Sequence, residues 1–410
     1  MSLSNITLSS SVRQNLLSLQ GTADLLATTQ TRLATGKKVN SALDNPTNFF
    51  TAAGLDARAS DIGNLLDSIG NGVQVLQAAN TGITSLSKLV DTAKSIANQA
   101  LQQPGGYSTK ASLASDAPVV AGTATDLTNA GTNTLQGDTL IFKTSATATT
   151  TLTISNVAGA GNVNSIDSIN TALATAGVQL TASLGATGAI TFTSTNDAAS
   201  QTITKTGTYA APGAGSSTSV DISGTIGFAA SVSAAVVDVN SQNTRASLVA
   251  QYNQIIQQIT TTAQDASFNG VNLLNGDTLK LVFNETGKST STITGVTFNP
   301  NGLGLGSAVV GTDFIDNTAT NKVLTALNTA STTLRSQASA FGANLSIVQI
   351  RQDFSKNLIN VLQTGSSNLT LADANEEAAN SQALSTRQSI AVSALALANQ
   401  SNQSVLQLLR

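Results

Sequence analysis

Histidine, cysteine and tryptophan are absent from all 410 residues. Without the first two, the usual ligands of zinc, haem and iron–sulfur centres are gone. Thiol and histidine-dependent hydrolytic mechanisms go with them, and the remaining carboxylates show no calcium-loop spacing. No cofactor, metal site or catalytic residue is expected, and the chain reads as a non-enzyme. The lack of disulfides leaves the redox compartment open. Charge is scarce, with 19 basic and 22 acidic residues and a net of −3, so neither nucleic acid nor an anionic membrane is an expected partner. Long apolar runs are missing too. No run of seven follows the first basic residue, Arg13, and none approaches the roughly 20 residues of a membrane span. No membrane insertion is expected, and secretion would need a route other than a signal peptide. Only five prolines occur (Pro46, Pro104, Pro118, Pro212 and Pro300), all outside the segments read below as helices.

What is present is helical periodicity at both ends. In Leu369–Arg410, free of proline and glycine, Ile390, Ala394, Leu397, Ser401, Ser404 and Leu408 step by four and three, as a coiled-coil seam does. A second row, Ala391, Leu395, Ala398, Asn402, Val405 and Leu409, widens that face. Asn5–Thr35 repeats the rhythm through Val12, Leu16, Leu19, Ala23, Leu26 and Leu33, with Gln30 in the remaining seam position. Neither helix can bury its stripe alone. The two seams are therefore expected to face each other.

Between them the chain is long enough for two or three domains. Gly36 to Asn40 breaks the first period, and Asp44-Asn45-Pro46 marks a turn and a helix start. A helical pattern then runs to Gln103 through Ile62, Ile69, Leu76, Ile83, Leu86 and Val90. Its glycines (Gly54, Gly63, Gly70, Gly72 and Gly82) each cost ~1 kcal/mol relative to alanine. They point either to close helix packing or to a kinked pair of shorter helices. Pro104-Gly105-Gly106 ends the pattern.

From Tyr107 to about Asn240 the composition shifts to Thr, Ser, Ala and Gly, with three lysines, seven aspartates and no arginine or glutamate. Alternation predicts strands at Thr139–Lys143, Thr151–Val157, Gln179–Leu184, Ile190–Ser194, Gln201–Lys205 and Val220–Gly227, with one helix near Ser165–Ala176. Helix returns at Thr244–Asp265. Asn269-Gly270 and Asn275-Gly276 then bracket a short predicted strand, and Leu279–Phe283 with Ser291–Phe298 form a hairpin. A long helix follows over Asn317–Gln363, roughly 70 Å at 1.5 Å per residue. The fold class is mainly α with an inserted α+β domain. It is an elongated rod of long terminal helices with a coiled-coil-like core, a β-hairpin in the helical layer and an outward β-rich insert.

Three motifs, taken in order, resemble those of the bacterial flagellins, the subunits of the flagellar filament. They are Arg32-Leu33-Ala34-Thr35-Gly36-Lys37-Lys38-Val39-Asn40 followed by Asp44-Asn45-Pro46; Phe268-Asn269-Gly270-Val271-Asn272-Leu273-Leu274; and the ending from Ala398-Asn399-Gln400 through Val405-Leu406-Gln407-Leu408-Leu409-Arg410. The insert segment Ser165–Ser194 is similar to a small β-α-β flagellin module. The resemblance implies three domains: residues 1–44 with 371–410 as an inner terminal-helix domain, 45–103 with 241–370 as a helical layer, and 104–240 as a surface insert. It also implies an extracellular open homopolymer used for swimming, reached by type III export, with the export apparatus, an export chaperone and a filament cap as partners. The expected polymer-interface residues are Val12, Leu16, Leu19, Leu26, Leu33, Ile390, Ala394, Leu397, Val405 and Leu408.

Other classes were weighed on the same residues. A hook–filament junction protein would share the terminal helices. An adhesin or glycan-binding insert would need aromatic platforms, and beyond Tyr107 the insert has only Phe142, Phe192, Tyr209 and Phe228. A carboxylate-pair glycosidase would have to draw on aspartates scattered among turns. An inserted zinc protease would need His-Glu-x-x-His, which a histidine-free chain cannot supply.

Overall fold

The four–three rhythm at the N-terminus becomes helix α1 (Ser10–Thr35) in the computed structural model, which describes residues 10–116, 124–128, 135–186, 188–212, 215–228 and 231–408. Gly36 ends it at φ +68°, the left-handed conformation that glycine supplies at helix C-termini. Asp44 organises the following turn, accepting from the backbone N–H groups of Ser41 (2.8 Å) and Asn40 (3.0 Å). Those bonds hold its carboxyl below the ordinary aspartate range. Asn45 caps α2 (Pro46–Gln102) by accepting from the Asn48 N–H at 3.0 Å. Proline stands at the first helical position, where a missing donor costs nothing. α2 continues unbroken for 57 residues, so the kinked alternative does not apply. Close packing explains two of its five glycines. A Cβ at Gly72 would meet Leu281, and one at Gly82 would lie 2.6 Å from Ala266 and Leu274, whereas Gly54 and Gly63 have nothing within 4 Å.

The insert follows. Strands β1 (Tyr107–Thr109), β2 (Ser112–Ala114), β3 (Thr139–Lys143), β4 (Thr149–Ile154) and β5 (Asn162–Val163) precede helix α3 (Ile166–Thr175). Strands β6 (Leu180–Leu184), β7 (Ile190–Ser194), β8 (Thr202–Thr204), β9 (Ser219–Gly224) and β10 (Val236–Val237) come after it. They form a five-stranded sheet in the order β5-β4-β3-β9-β8, a three-stranded sheet β2-β7-β6, and the pair β1-β10. That pair sets Tyr107 opposite Val237, so the insert enters and leaves side by side. Inward residues such as Leu113, Leu140, Phe142, Ile154, Ile169 and Phe192 make one core, with the Phe142 and Phe192 rings edge-on at 5.3 Å. Ser165 and Ser168 cap α3 reciprocally. Asn170 on that helix binds both the N–H and the C=O of Ala182, which satisfies backbone groups on the edge strand β6.

α4 (Val239–Asp265) starts five residues ahead of the predicted Thr244. It carries the buried Arg245, whose guanidinium donates to the carbonyls of Phe314 (2.8 Å), Pro104 (3.1 Å) and Gln103 (3.2 Å) and to Asn317 Oδ1 (3.1 Å). One planar fork thus serves carbonyls at the end of α2, where no intrahelical donor remains. Burial lowers the Arg245 pKa, and the charge of Asp316 opposes that shift.

The strand expected between the two Asn-Gly pairs reduces to a single bridge, Phe268 to Val271, around Asn269 and Gly270, both at positive φ. The Asn272 side chain bends the chain back, donating to Ala263 O and Gln264 O and accepting from the Leu274 N–H. The hairpin β11 (Thr278–Val282) and β12 (Thr290–Thr294) follows. Helix α5 (Asn317–Thr370) then begins at the buried Asp316. Its carboxylate accepts from the Ala319 N–H (3.0 Å) and, from the insert, Ser217 Oγ (2.5 Å), Ser200 Oγ (2.6 Å) and the Ser200 N–H (3.2 Å). The same carboxylate that caps α5 therefore binds the insert.

The helix expected from Leu369 breaks instead at Leu371–Asp373. Asp373 restarts it as α6 (Ala374–Leu408), its carboxylate accepting from the Asn375 N–H at 2.9 Å. Contacts divide the chain into two compact units, residues 1–72, 280–291 and 347–410, and residues 73–279 and 292–346. In the first, α1 pairs antiparallel with α6, tied at one end where the Lys38 N–H donates to Thr370 O (2.7 Å) and the Ala372 N–H to Gly36 O (3.0 Å). The lower half of α5 packs on the N-terminal half of α2 through Ala59, Ile62 and Leu362. The second unit holds the insert core, the buried stripe of α2 from Leu76 to Ala100, and that of α4.

Two outcomes follow from this packing. Gly82→Ala is expected to destabilise the chain by about 1–3 kcal/mol, because Ala266 and Leu274 occupy the space. Gly54→Ala, facing open space, should stabilise it by roughly 0.5–1 kcal/mol. Urea unfolding of both variants checks the pair, and equal effects would contradict the packing explanation. Asp316→Ala should cost roughly 3 kcal/mol or more by stranding Ser200, Ser217 and the buried Arg245 charge together, read from the same transition.

Candidate assembly surface

Of the 21 exposed large apolar side chains among the described residues, fourteen belong to the smaller unit, which holds well under half of the chain. Scattered exposed apolar residues need no explanation. These recur instead at helical spacing on α1, α5 and α6, which does.

On α1 the residues turned toward α6 are Val12, Leu19, Thr22, Leu26 and Thr29; Leu16 and Leu33 are exposed. On α6 the less exposed row is Glu377, Ser381, Leu384, Gln388, Ala391, Leu395 and Ala398. The expected seam row points the other way, with Ala394 exposed, Ile390 at 64% and Leu397 at 69% exposure. The pairing of Val12, Leu16, Leu19 and Leu26 against Ile390, Ala394 and Leu397 is thus corrected within the chain. It divides into an inner set (Val12, Leu19 and Leu26) and an outer set (Leu16, Leu33, Ile390, Ala394 and Leu397). The side chains of Val405 and Leu408 lie outside the described residues.

Two causes select the inner rows. Alanines at 391 and 398 let α1 approach closely. Thr22 is tolerated inside because its hydroxyl donates to Ser18 O at 2.8 Å. Arg32 Nη1 also reaches Glu377 Oε1 at 3.3 Å across the pair, with Glu377 largely buried. A carboxylate in the inner row gave no apolar signal, so periodicity alone could not mark it.

α5 carries a second stripe. Phe341, Val348, Ser355 and Leu362 are buried, while on a separate face Ile347, Ile350, Phe354 and Val361 step by three, four and seven and are all exposed. None of these four residues is among the expected interface residues, although their heptad spacing stands in the sequence. Among the described residues no group of carboxylates is placed to hold a metal ion, and no helix is long and apolar enough to cross a membrane.

These features define a class: helical chains whose two ends pair with each other, whose middle carries an α/β insert, and whose end helices keep apolar stripes uncovered. Residues 4–138 match the family model of the bacterial flagellin N-terminal helical region, and residues 324–409 that of the bacterial flagellin C-terminal helical region. The chain is 34% identical to flagellin FljM of Caulobacter vibrioides over 165 residues, covering 40% of this chain and 59% of that protein. It is 33% identical to FljO of the same organism over the same shares. It is 31% identical to a flagellin of Brucella melitensis over 170 residues, 39% of this chain and 60% of that protein. The aligned part therefore spans about 59% of the length of these relatives. The chain belongs to the bacterial flagellin family.

Only Val12, Thr22 and Thr29 of α1 and Glu377 of α6 are buried among the described side chains of the two end helices. Elements with so few buried contacts open at low free energy. In the free chain, amides of residues 10–33 should exchange orders of magnitude faster than those of residues 75–97, and they should become protected on self-association. Strong protection of 10–33 in the monomer, followed by hydrogen exchange and mass spectrometry, would contradict this.

Proposed function

We propose that the chain is a structural, non-catalytic subunit that polymerises with copies of itself into an extracellular flagellar filament used for swimming. The observation that carries this reading is the concentration of uncovered apolar stripes on the smaller unit, in a chain of the flagellin family. A stripe that one chain cannot bury is buried by neighbours. When the contact joins two different patches and its rotation does not close, it builds an open helical polymer.

In this reading residues 1–44 with 371–410 form the inner domain, 45–103 with 241–370 the helical layer, and 104–240 a domain on the filament surface. Val12, Leu19 and Leu26 hold the two ends of one chain together, which pre-forms the surface. Leu16, Leu33, Ile390, Ala394 and Leu397 meet neighbouring subunits; by spacing Leu408 continues that row, and Val405 continues the row that faces α1. Export through the flagellar type III apparatus, an export chaperone and a filament cap complete the picture that the family suggests.

Leu397→Asp tests the mechanism. Leu397 is 69% exposed in the free chain, so the substitution should change monomer stability by no more than about 0.5 kcal/mol. Buried and unpaired in a polymer, the same carboxylate costs several kcal/mol per subunit. Retained helical circular dichroism with loss of sedimentable filaments is the expected result. Normal filaments in electron micrographs would remove this face from the interface.

A further inference from the structure

The sequence holds four Asn-Gly pairs: Asn71-Gly72, Asn269-Gly270, Asn275-Gly276 and Asn301-Gly302. In such a pair the glycine amide nitrogen can attack the asparagine side-chain carbonyl, because no Cβ on the following residue stands in the way and its backbone turns freely. Attack needs a glycine N–H that is not held elsewhere and a backbone that leaves its folded conformation at low cost. The structure separates the four pairs on both counts.

Asn71 and Gly72 lie inside α2, where each N–H is committed to the helix ladder, and Gly72 is buried beneath Leu281. Asn275 is bridged to Thr297. The N–H groups on either side of Gly276, those of Asn275 and Asp277, both donate to Asn272 O, at 3.1 and 3.2 Å. The Gly302 N–H donates to Asn299 Oδ1 at 2.8 Å. Asn269-Gly270 differs from all three. Residues 267–270 are exposed, and a Cβ at Gly270 would meet nothing within 4 Å. Both members of the pair have positive φ, 49° and 80°, a conformation that asparagine visits at small cost. The turn is closed only by reciprocal backbone bonds between Phe268 and Val271, each 3.0 Å. Among the described residues nothing bonds to the Asn269 side chain or to the Gly270 N–H.

We infer that Asn269 is a self-modification site: with Gly270 it closes to a cyclic imide that opens to aspartate and isoaspartate. Attack follows local opening of the turn, so its rate tracks how cheaply each pair opens. The Gly270 nitrogen gives its proton to a solvent base and bonds to Asn269 Cγ. The Cγ–Nδ2 bond breaks, and that nitrogen takes a proton from solvent and leaves as ammonia. Water then opens the ring at either carbonyl. The net change is amide plus water to acid plus ammonia, and no oxidant or reductant takes part. Either product adds one negative charge to a chain of net charge −3. Isoaspartate also routes the backbone through the former side chain, so the reciprocal Phe268–Val271 bonds lose their register.

The folded full-length chain is incubated for weeks in heavy-oxygen water, then digested for mass spectrometry, with a urea-unfolded sample alongside. In the folded chain, label should enter Asn269 roughly tenfold more than Asn71, Asn275 or Asn301, equivalent to about 1.4 kcal/mol of easier opening. In urea the four pairs should converge. Equal labelling of Asn269 and either Asn275 or Asn301 in the folded chain overturns the assignment. Labelling of Asn269 in urea alone also overturns it, because the turn would then protect the pair. As an independent arm, Asn269→Gly leaves a Gly-Gly turn that accommodates positive φ. It should keep the helical circular dichroism and remove most of the isoaspartate that an isoaspartyl carboxyl methyltransferase detects with a labelled methyl donor. Isoaspartate persisting at the unsubstituted level would place the reaction elsewhere and overturn the inference.

Discussion

A helix with apolar residues on two separate faces can bury only one of them against a single partner. In α5 the inner heptad from Phe341 to Leu362 is covered by its own chain, and the outer one from Ile347 to Val361 is not. α6 poses the same problem, with two adjacent rows and one partner helix. The row through Leu384, Ala391, Leu395 and Ala398 faces α1, and Ile390 and Leu397 are left outside. Covering each residual stripe is worth roughly 25 cal/mol per Å² removed from water, which favours association over any rearrangement within the chain.

The larger unit solves a different problem, that of inserting an α/β body between two helices without loosening them. The β1–β10 ladder brings the ends of the insert together, as tolerated insertions require. Two buried charges then do more than close a loop. Arg245 gathers carbonyls from the end of α2 and from the residues just before α5, while Asp316 joins the cap of α5 to Ser200 and Ser217 of the insert. Charges buried like this stabilise only when every partner is in place. The insert is therefore a participant in the start of α5, although composition alone marked it as a separate segment.

Much of this was legible from periodicity. α2, α4, α5 and α6 lie close to where apolar spacing put them, and β3 and β7 match to the residue, because half-buried elements advertise themselves through alternation. What escaped was decided by local polar groups. The break at Leu371–Asp373 depends on one aspartate capping a new helix. The Phe268–Leu274 segment became a bridge and a side-chain clasp because Asn272 satisfies the carbonyls ending α4. The choice between two rows on α6 was hidden because Glu377 and Thr29, both polar, lie on the inner seam. Short strands such as β5 and β10, two residues each, are too brief to carry a period.

The same polar chemistry explains how such hydroxyl-rich helices can enter an interface. A buried hydroxyl without a partner costs about 1–3 kcal/mol, which would penalise association through faces containing so many serines and threonines. Here the hydroxyls of Thr28, Thr31 and Thr35 on α1 and of Thr386, Ser389, Ser393 and Ser404 on α6 each donate to the carbonyl four residues back. Their donors are satisfied before any partner arrives. Removing water from these hydroxyls strands no hydrogen. Self-satisfied hydroxyls thus leave these exposed faces cheap to desolvate.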